Sequence, residues 1–150
     1  MTSLARLSLL SVLLAPACGG GGEAGAVDDF LGSLDTYARQ VCECDHDNGV
    51  VLAFVGKFIY GSVDACLDDL PVDSAERGCV EGLFADEEVD YSAVLECRAD
   101  AHSRAASCLA GKTCTDTARN DCHLQRLDEL EDCEALPLAL EAKLSDCLHN

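Results

Sequence analysis

"CRADAHSRAASC" (residues 97–108) and "CHLQRLDELEDC" (residues 122–133) decide the fold of this 150-residue chain, because each stretch begins and ends with a cysteine. The two cysteines of each stretch are eleven residues apart. In an α-helix of about 3.6 residues per turn, this separation is about three full turns, so both cysteines lie on one helix face. The spacing predicts two helices that face each other cysteine to cysteine.

The two stretches are also placed symmetrically about one turn, "GKTCTDT" (residues 111–117). Residue 115 lies midway between 97 and 133, and also midway between 108 and 122. An antiparallel helical hairpin produces this shared midpoint when Cys97 bonds to Cys133 and Cys108 bonds to Cys122. We expect these two disulfides.

The partner of Cys147 follows from the length of a last helix that begins at Pro137, a good first helical residue. If that helix folds back along the hairpin, Cys147 lies about 21 Å beyond Cys133 along the returning axis. That distance brings it near the hairpin turn. We expect a bridge between Cys114 and Cys147.

Four further cysteines lie in the first half of the domain. A bridge from Cys42 to Cys44 across one residue would be strained, so by elimination these two pair with Cys66 and Cys79. Which takes which is open. A direct Cys66–Cys79 bridge around the Pro71 turn is an alternative, and it would leave Cys42 and Cys44 to reach the C-terminal half.

The remaining sequence also has helical periodicity. A first helix is predicted from Val27 to Cys44, ended by the turn formers "DHDNG" (residues 45–49). "VVLAFVGKFIYG" (residues 50–61) fits a helix or a strand, and its helical neighbours favour a buried helix. Later helices have candidate N-caps, namely Ser62, Asp73 or Ser74, and Asp90 or Ser92. The fold class is therefore all-α, a single disulfide-stapled bundle of about five or six helices over residues 27–150.

The N-terminus has the features of a signal peptide. Arg6 precedes "LSLLSVLLA" (residues 7–15), which is too short to span a bilayer core of about 30 Å. "APA" (residues 15–17) suits ordinary signal peptidase, whereas "LAPAC" (residues 14–18) resembles a bacterial lipobox. Both sites are cut after residue 17. Ala15 stands where a lipobox usually has a large aliphatic residue, so spacing alone leaves the choice open.

Cysteine parity favours lipidation. The chain has eleven cysteines, and acylation of Cys18 leaves ten that can pair completely in an oxidising compartment. The following "GGGGEAGA" (residues 19–26) has the composition of a flexible tether. We expect a signal peptide over residues 1–17 and a lipidated Cys18 with its tether over residues 18–26. A soluble periplasmic or secreted protein is the alternative.

The charge narrows the possible partners. The net charge is −18, and loss of residues 1–17 removes only Arg6 among charged residues, which gives −19. Such a field repels phosphate backbones and anionic lipid headgroups. We expect no nucleic-acid partner, and membrane attachment only through the N-terminal lipid.

Motifs for metal binding are weak. Zinc sites usually repeat a C-x2-4-C spacing, whereas this chain has one "CEC" (residues 42–44). "DHDNG" differs from a calcium loop because its glycine comes one residue early and Phe54 or Val55 stands where a glutamate should close the loop. "LDELEDCE" (residues 127–134) predicts a solvated acidic face that attracts cations weakly. We expect no metal and no cofactor.

Motifs for catalysis are also weak. His46, His102, His123 and His149 are scattered and are interpreted as surface or cap residues, so no catalytic residue is assigned. Phe54 and Phe58 could line a ligand groove, although core packing is the better interpretation. Cys42 and Cys44 could form a redox dithiol, but they lack the C-x-x-C spacing that lowers a thiolate pKa.

The combination of "LLAPACGGGG", "CLAGKTC", "CHLQRLDELEDCEALP" and "SDCL" resembles the small cysteine-rich helical lipoproteins of myxobacterial-type Gram-negative bacteria. The resemblance implies an envelope location and no catalytic residues, and Gly19 after Cys18 is similar to outer-membrane sorting. The function expected is a non-enzymatic outer-membrane lipoprotein that acts as an interaction or structural module, with an envelope or extracellular protein as a possible partner. A thiol-disulfide protein using the CEC pair and an acidic divalent-cation binder are the alternatives.

Overall fold

A computed structural model describes residues 22–53 and 59–148 of the chain. All regular structure in this part is helical, which confirms the predicted all-α, disulfide-stapled class. The described ranges contain seven helices, where about five or six were predicted. They are α1 (Glu23–Asp45), α2 (Gly49–Ala53), α3 (Val63–Asp69), α4 (Ser74–Ala85), α5 (Ser92–Ala110), α6 (Arg119–Glu131) and α7 (Leu138–Leu148).

Helices α1 and α5 pack along each other and run in the same direction. At their starts, the Tyr91 N–H donates to Glu23 Oε1 over 3.0 Å. At their ends, Cys44 is bonded to Cys114 in the loop after α5. Helix α6 returns antiparallel to α5, so the predicted hairpin is present and lies against the long first helix.

The core consists of two hydrophobic clusters along the α1–α5 pair. The first cluster joins the starts of α1 and α5 to α4 and α7, with Leu31, Phe84 and Leu95 almost fully buried. The second joins the ends of α1 and α5 to α2 and α6, with Val41 and Leu109 fully buried. Each cluster therefore closes one end of the bundle.

The helix starts follow local capping chemistry. The Ser62 hydroxyl accepts from the backbone N–H of Ala65 and caps α3. Asp73 and Glu76 form a capping box at α4, in which each side chain accepts from the other residue's N–H. Pro137 comes directly before α7, and its carbonyl accepts from Leu140.

Helix α5 departs from the expected cap. Neither predicted residue is its N-cap, because α5 begins at Ser92 and Tyr91 occupies the cap position without a side-chain hydrogen bond. Asp90 Oδ1 still accepts from the Ser92 N–H at 2.9 Å. This bond lowers the pKa of Asp90. The aspartate therefore supports the first turn from just outside the cap position.

Helix α1 begins earlier than predicted. Residues 23–26 were assigned to the tether, but they form its first turn, and Ala26 is only 2 % exposed. Ala26 and Val27 pack into the first cluster, and this burial of apolar surface stabilises the first turn of the helix. The signal peptide and residues 18–21 lie outside the described residues.

The structure describes both ends of the stretch 50–61, and the start matches the predicted buried helix. Val51 and Leu52 are buried in α2, as expected of a buried helix. Ile59 is 64 % exposed, and Tyr60 follows it outside any helix. Phe54 and Phe58, the candidates for a ligand groove, lie outside the described residues.

Candidate functional site

Two disulfides join α5 to α6 with the pairing that the shared midpoint predicts. Cys97 bonds to Cys133 and Cys108 bonds to Cys122, and both pairs have a Cα–Cα distance of 5.8 Å. The pairs lie about three turns apart along α5, and on the other side Cys122 is in α6 and Cys133 follows its end, so the bridges fix both the spacing and the register of the hairpin.

The predicted Cys114–Cys147 bridge is wrong. Cys147 is bonded to Cys79, because α7 packs against α4 and does not return along the hairpin. Cys114 is bonded to Cys44, since the parallel course of α1 and α5 brings the end of α1 to the loop after α5. The spacing between Cys133 and Cys147 gives the distance along α7 but does not specify which helix α7 packs against.

The first-half cysteines are only partly as expected. Cys42 and Cys66 form a fully buried bridge, here called the α1–α3 bridge. The expected pairing of Cys44 with Cys66 or Cys79 is wrong, and so is the direct Cys66–Cys79 alternative. Two positions apart on a helix are rotated by about 200°, so Cys42 and Cys44 point to different sides of α1 and reach different partners.

Six polar or charged side chains cluster inside the bundle where α1, α5 and α6 meet. We call this cluster the buried polar network. Each of these residues as a whole is at most 5 % exposed: Tyr37, Asp45, His102, Arg119, His123 and Arg126. Buried charges are costly unless they are paired and hydrogen-bonded, so the contacts within the network decide whether it stabilises the fold.

Asp45 is the anionic centre of the network. Its Oδ2 accepts from Arg119 Nη2 at 2.6 Å and from Arg119 Nε at 3.1 Å, and it lies 3.2 Å from His123 Nε2. Burial alone would raise the pKa of Asp45, but the hydrogen bonds from His123 and Arg119 outweigh it and lower the pKa. Asp45 is the last residue of α1, so the turn predicted over residues 45–49 begins one residue later in the structure.

Arg126 is the second buried cation. Its Nη1 donates to the Tyr37 hydroxyl at 3.1 Å, and its Nε donates to His102 Nδ1 at 3.2 Å. The guanidinium carbon also lies 4.3 Å from the centre of the Tyr37 ring, a cation–π distance. The Tyr37 hydroxyl lies 2.8 Å from His123 Nδ1, which joins the two halves of the network.

Burial controls protonation around Arg126. Desolvation, with the charges of Arg126 and Arg98, lowers the pKa of His102 to about 3, so the imidazole is neutral near pH 7 and accepts from Arg126. Desolvation also raises the pKa of Tyr37, against the opposing effect of Arg126. Both groups therefore stay neutral beside the cation.

The interpretation of the histidines as surface or cap residues is wrong for His102 and His123, which are 4 % and 3 % exposed. His46 is the C-cap residue of α1, and His149 lies outside the described residues. A signal was present in the sequence, since residues 119, 123 and 126 follow the i, i+4, i+7 spacing of one helix face.

The network is suited to fixing helix positions. It contains an acid, two histidines and a phenol, but its members are enclosed by three helices, and neither of two surface grooves described by the structure is lined by them. Arg119 also donates to the carbonyls of Gln40 and Leu109, which anchors α6 to the ends of α1 and α5. Its chemistry sets the register between helices.

The acidic face of residues 127–134 lies on the surface of α6 and its following turn. Glu129 accepts from Arg104 Nε at 2.8 Å and from the Gln125 amide at 2.9 Å, so it already serves as a structural partner. Asp128, Glu131 and Asp132 are exposed. Within residues 22–53 and 59–148, no three histidine, cysteine or acidic side chains are grouped to hold a metal ion.

None of the helices described is both long and apolar enough to cross a membrane. Comparison of the chain with family models, curated proteins and solved structures found no match.

Proposed function

We propose that this chain is a non-enzymatic lipoprotein of the cell envelope, anchored in the outer membrane by an acylated Cys18. Its helical domain acts as an interaction or structural module, as the sequence features resembling cysteine-rich envelope lipoproteins imply. Release as a soluble periplasmic or secreted protein is the alternative to be tested.

The disulfide set is the observation that carries this proposal. Ten of the eleven cysteines are joined in five intrachain bridges. Cys18 is the remaining one, so it has no cysteine partner within its own chain. Acylation uses this thiol, and the adjacent glycine-rich segment provides the spacing between lipid and domain.

The role of a module is supported by the way the bridges hold the helices. They connect α1 with α3 and with the α5–α6 hairpin, and they connect α4 with α7. A disulfide typically stabilises a fold by about 2–4 kcal/mol, and such bridges persist in oxidising compartments. A domain fixed in this way presents a constant surface to a partner.

The redox alternative receives less support from the geometry. Cys42 and Cys44 belong to separate bridges, and both cysteines of the α1–α3 bridge are 0 % exposed. A dithiol that cycles needs its two sulfurs close to each other and at least one accessible to substrate. Cys42 and Cys44 are not bonded to each other, and the Cys42 sulfur is inaccessible, so the CEC pair lacks the arrangement of such a dithiol.

The test is the intact mass of the chain extracted from envelopes of expressing cells, measured before and after reduction and alkylation. We expect a chain that begins at Cys18 and carries acyl groups, with no alkylation before reduction and ten alkylated cysteines after it. A Cys18→Ser variant is the control, and it should leave the detergent phase in a phase-partitioning assay. Alkylation of Cys18 in the unreduced protein would overturn the anchor, and two or more free thiols would overturn the stapled fold.

A further inference from the structure

A surface groove of about 380 Å³ lies between the start of α1 and the end of α4. We infer that this groove, here called the α1–α4 groove, binds a basic amphipathic segment of a partner protein. Its floor is apolar. Val27 and Phe84 close its bottom and are only 2 % and 1 % exposed, so the apolar surface open to a partner comes from the exposed Ala24 and Ala85.

The rim of the groove is acidic. Glu23 and Asp28 of α1 and Glu81 of α4 are the charged residues that line it. Glu23 is held in place by the Tyr91 N–H, and Asp28 accepts from Arg77 at 3.2 Å. Glu23 is therefore positioned before any partner arrives, which reduces the entropy lost on binding, whereas Asp28 exchanges its exposed pairing with Arg77 for a cation of the partner.

Charge complementarity identifies the occupant. The segment that leaves the groove after Ala85 is "DEEVD" (residues 86–90), which adds four carboxylates next to the rim, and the whole chain carries −18. Lysine and arginine bury their aliphatic stems on apolar surface while their charged ends reach outward. An apolar floor with an acidic rim therefore fits side chains that alternate between aliphatic and cationic, as on a basic amphipathic helix.

The volume agrees with this occupant. A space of about 380 Å³ accepts one or two large side chains and is at the small end of the range for ligand pockets. The groove thus suits the anchoring side chains of a peptide segment, with the acidic loop contributing to approach and orientation. Acidic peptides and phosphate-bearing partners are repelled by the same charges.

This inference rests on the proposed role as an interaction module but not on the lipid anchor. The binding experiment uses the purified, disulfide-bonded chain in solution, whereas the anchor is tested by the mass of the Cys18 adduct. Failure of one experiment leaves the result of the other unchanged.

The probe is a fluorescein-labelled helical peptide of lysine and leucine, titrated by fluorescence anisotropy at physiological salt. Its counterpart with glutamate in place of lysine should not bind. Glu81→Lys reverses one rim charge and should weaken binding of the lysine peptide about tenfold or more. Glu131→Lys is the matched control, since it makes the same charge change at an exposed site of α6 and should weaken binding less than about threefold.

A second pair of variants tests the floor without changing charge. Ala85→Trp fills the groove and should abolish saturable binding, whereas Ala139→Trp, at an exposed site of α7, should leave it unchanged. Equal weakening by Glu81→Lys and Glu131→Lys would show attraction to the overall charge alone and overturn the inference. Unchanged binding in Ala85→Trp, or binding of Ca²⁺ alone without the peptide, would overturn it as well.

Discussion

Replacement of Asp45 by asparagine removes the negative centre of the buried polar network with almost no change in volume. The Asp45 and Arg119 side chains are 8 % and 4 % exposed, so water cannot solvate the Arg119 guanidinium once the carboxylate charge is lost. Arg119 would keep a buried positive charge without an anionic partner. We therefore expect Asp45→Asn to destabilise the folded chain strongly.

The expected loss can be worked out from the contacts. Removing one partner of a buried ion pair costs about 3–5 kcal/mol. The carbonyls of Gln40 and Leu109 continue to accept from Arg119, and an asparagine oxygen can still accept one hydrogen bond. These contacts favour the lower end, about 3 kcal/mol, which corresponds to a fall in Tm of about 10 °C for a domain of this size.

The assay is guanidinium denaturation of the disulfide-intact protein at pH 7, followed by far-UV circular dichroism. Asp35→Asn is the matched control on the same helix, because Asp35 pairs with Arg39 at the surface, where the Arg39 side chain is 56 % exposed, and its loss should cost less than about 1 kcal/mol. A loss below about 1 kcal/mol in Asp45→Asn, or equal losses in the two variants, would refute the reasoning.

The same variant has a pH signature. The folded-state pKa of Asp45 lies below its ordinary value of 3.8, so the stability that its charge contributes is present above that pH. It is lost as the pH falls through the folded-state pKa. The difference in stability between the wild type and Asp45→Asn should therefore shrink when the pH is lowered from 5 to about 2.

Three further predictions concern a buried histidine, a disulfide and a helix cap. The folded-state pKa of His102 is about 3, against 6.5 for a free imidazole, so between those pH values only the unfolded chain takes up this proton. The contribution of this group to stability should therefore fall by about 1.4 kcal/mol per pH unit as the pH drops. His102→Gln should make the denaturation midpoint depend less on pH between pH 4 and 6. Limited reduction should open the Cys44–Cys114 bridge before the fully buried α1–α3 bridge, because Cys114 is exposed; differential alkylation and peptide mass spectrometry would contradict this if both opened together. Asp73→Ala removes the α4 capping box and should cost about 1 kcal/mol in the same denaturation assay, and no loss would argue against the cap.

The parts of the fold predicted correctly are those set by local periodicity. The eleven-residue spacing predicts the α5–α6 hairpin and both of its bridges, because the geometry of one helix determines which cysteines share a face. Capping chemistry likewise predicts Ser62 as one N-cap and narrows the next to Asp73 or Ser74, of which the structure has Asp73. Such signals depend on residues within about three turns of one another.

The parts predicted wrongly depend on which helices are neighbours. The bridges of Cys114 and Cys147 follow from the packing of α1 on α5 and of α7 on α4, which no spacing along the chain specifies. The buried polar network was missed for the same reason. The sequence pattern predicts a turn residue at Asp45, and only the fold brings Arg119, 74 positions away, to its carboxylate.

The order of the cysteines has a consequence for biosynthesis. Numbered along the chain after Cys18, the ten cysteines pair as first with third, second with seventh, fourth with tenth, fifth with ninth, and sixth with eighth. None of these bridges joins consecutive cysteines, whereas an oxidase that acts on an emerging chain encounters them one after another. Ten cysteines allow roughly 900 complete pairings, and any bridge formed early between consecutive cysteines is non-native and needs thiol exchange to be corrected. The yield of native protein should therefore depend on the supply of a disulfide isomerase more than on the strength of the oxidant.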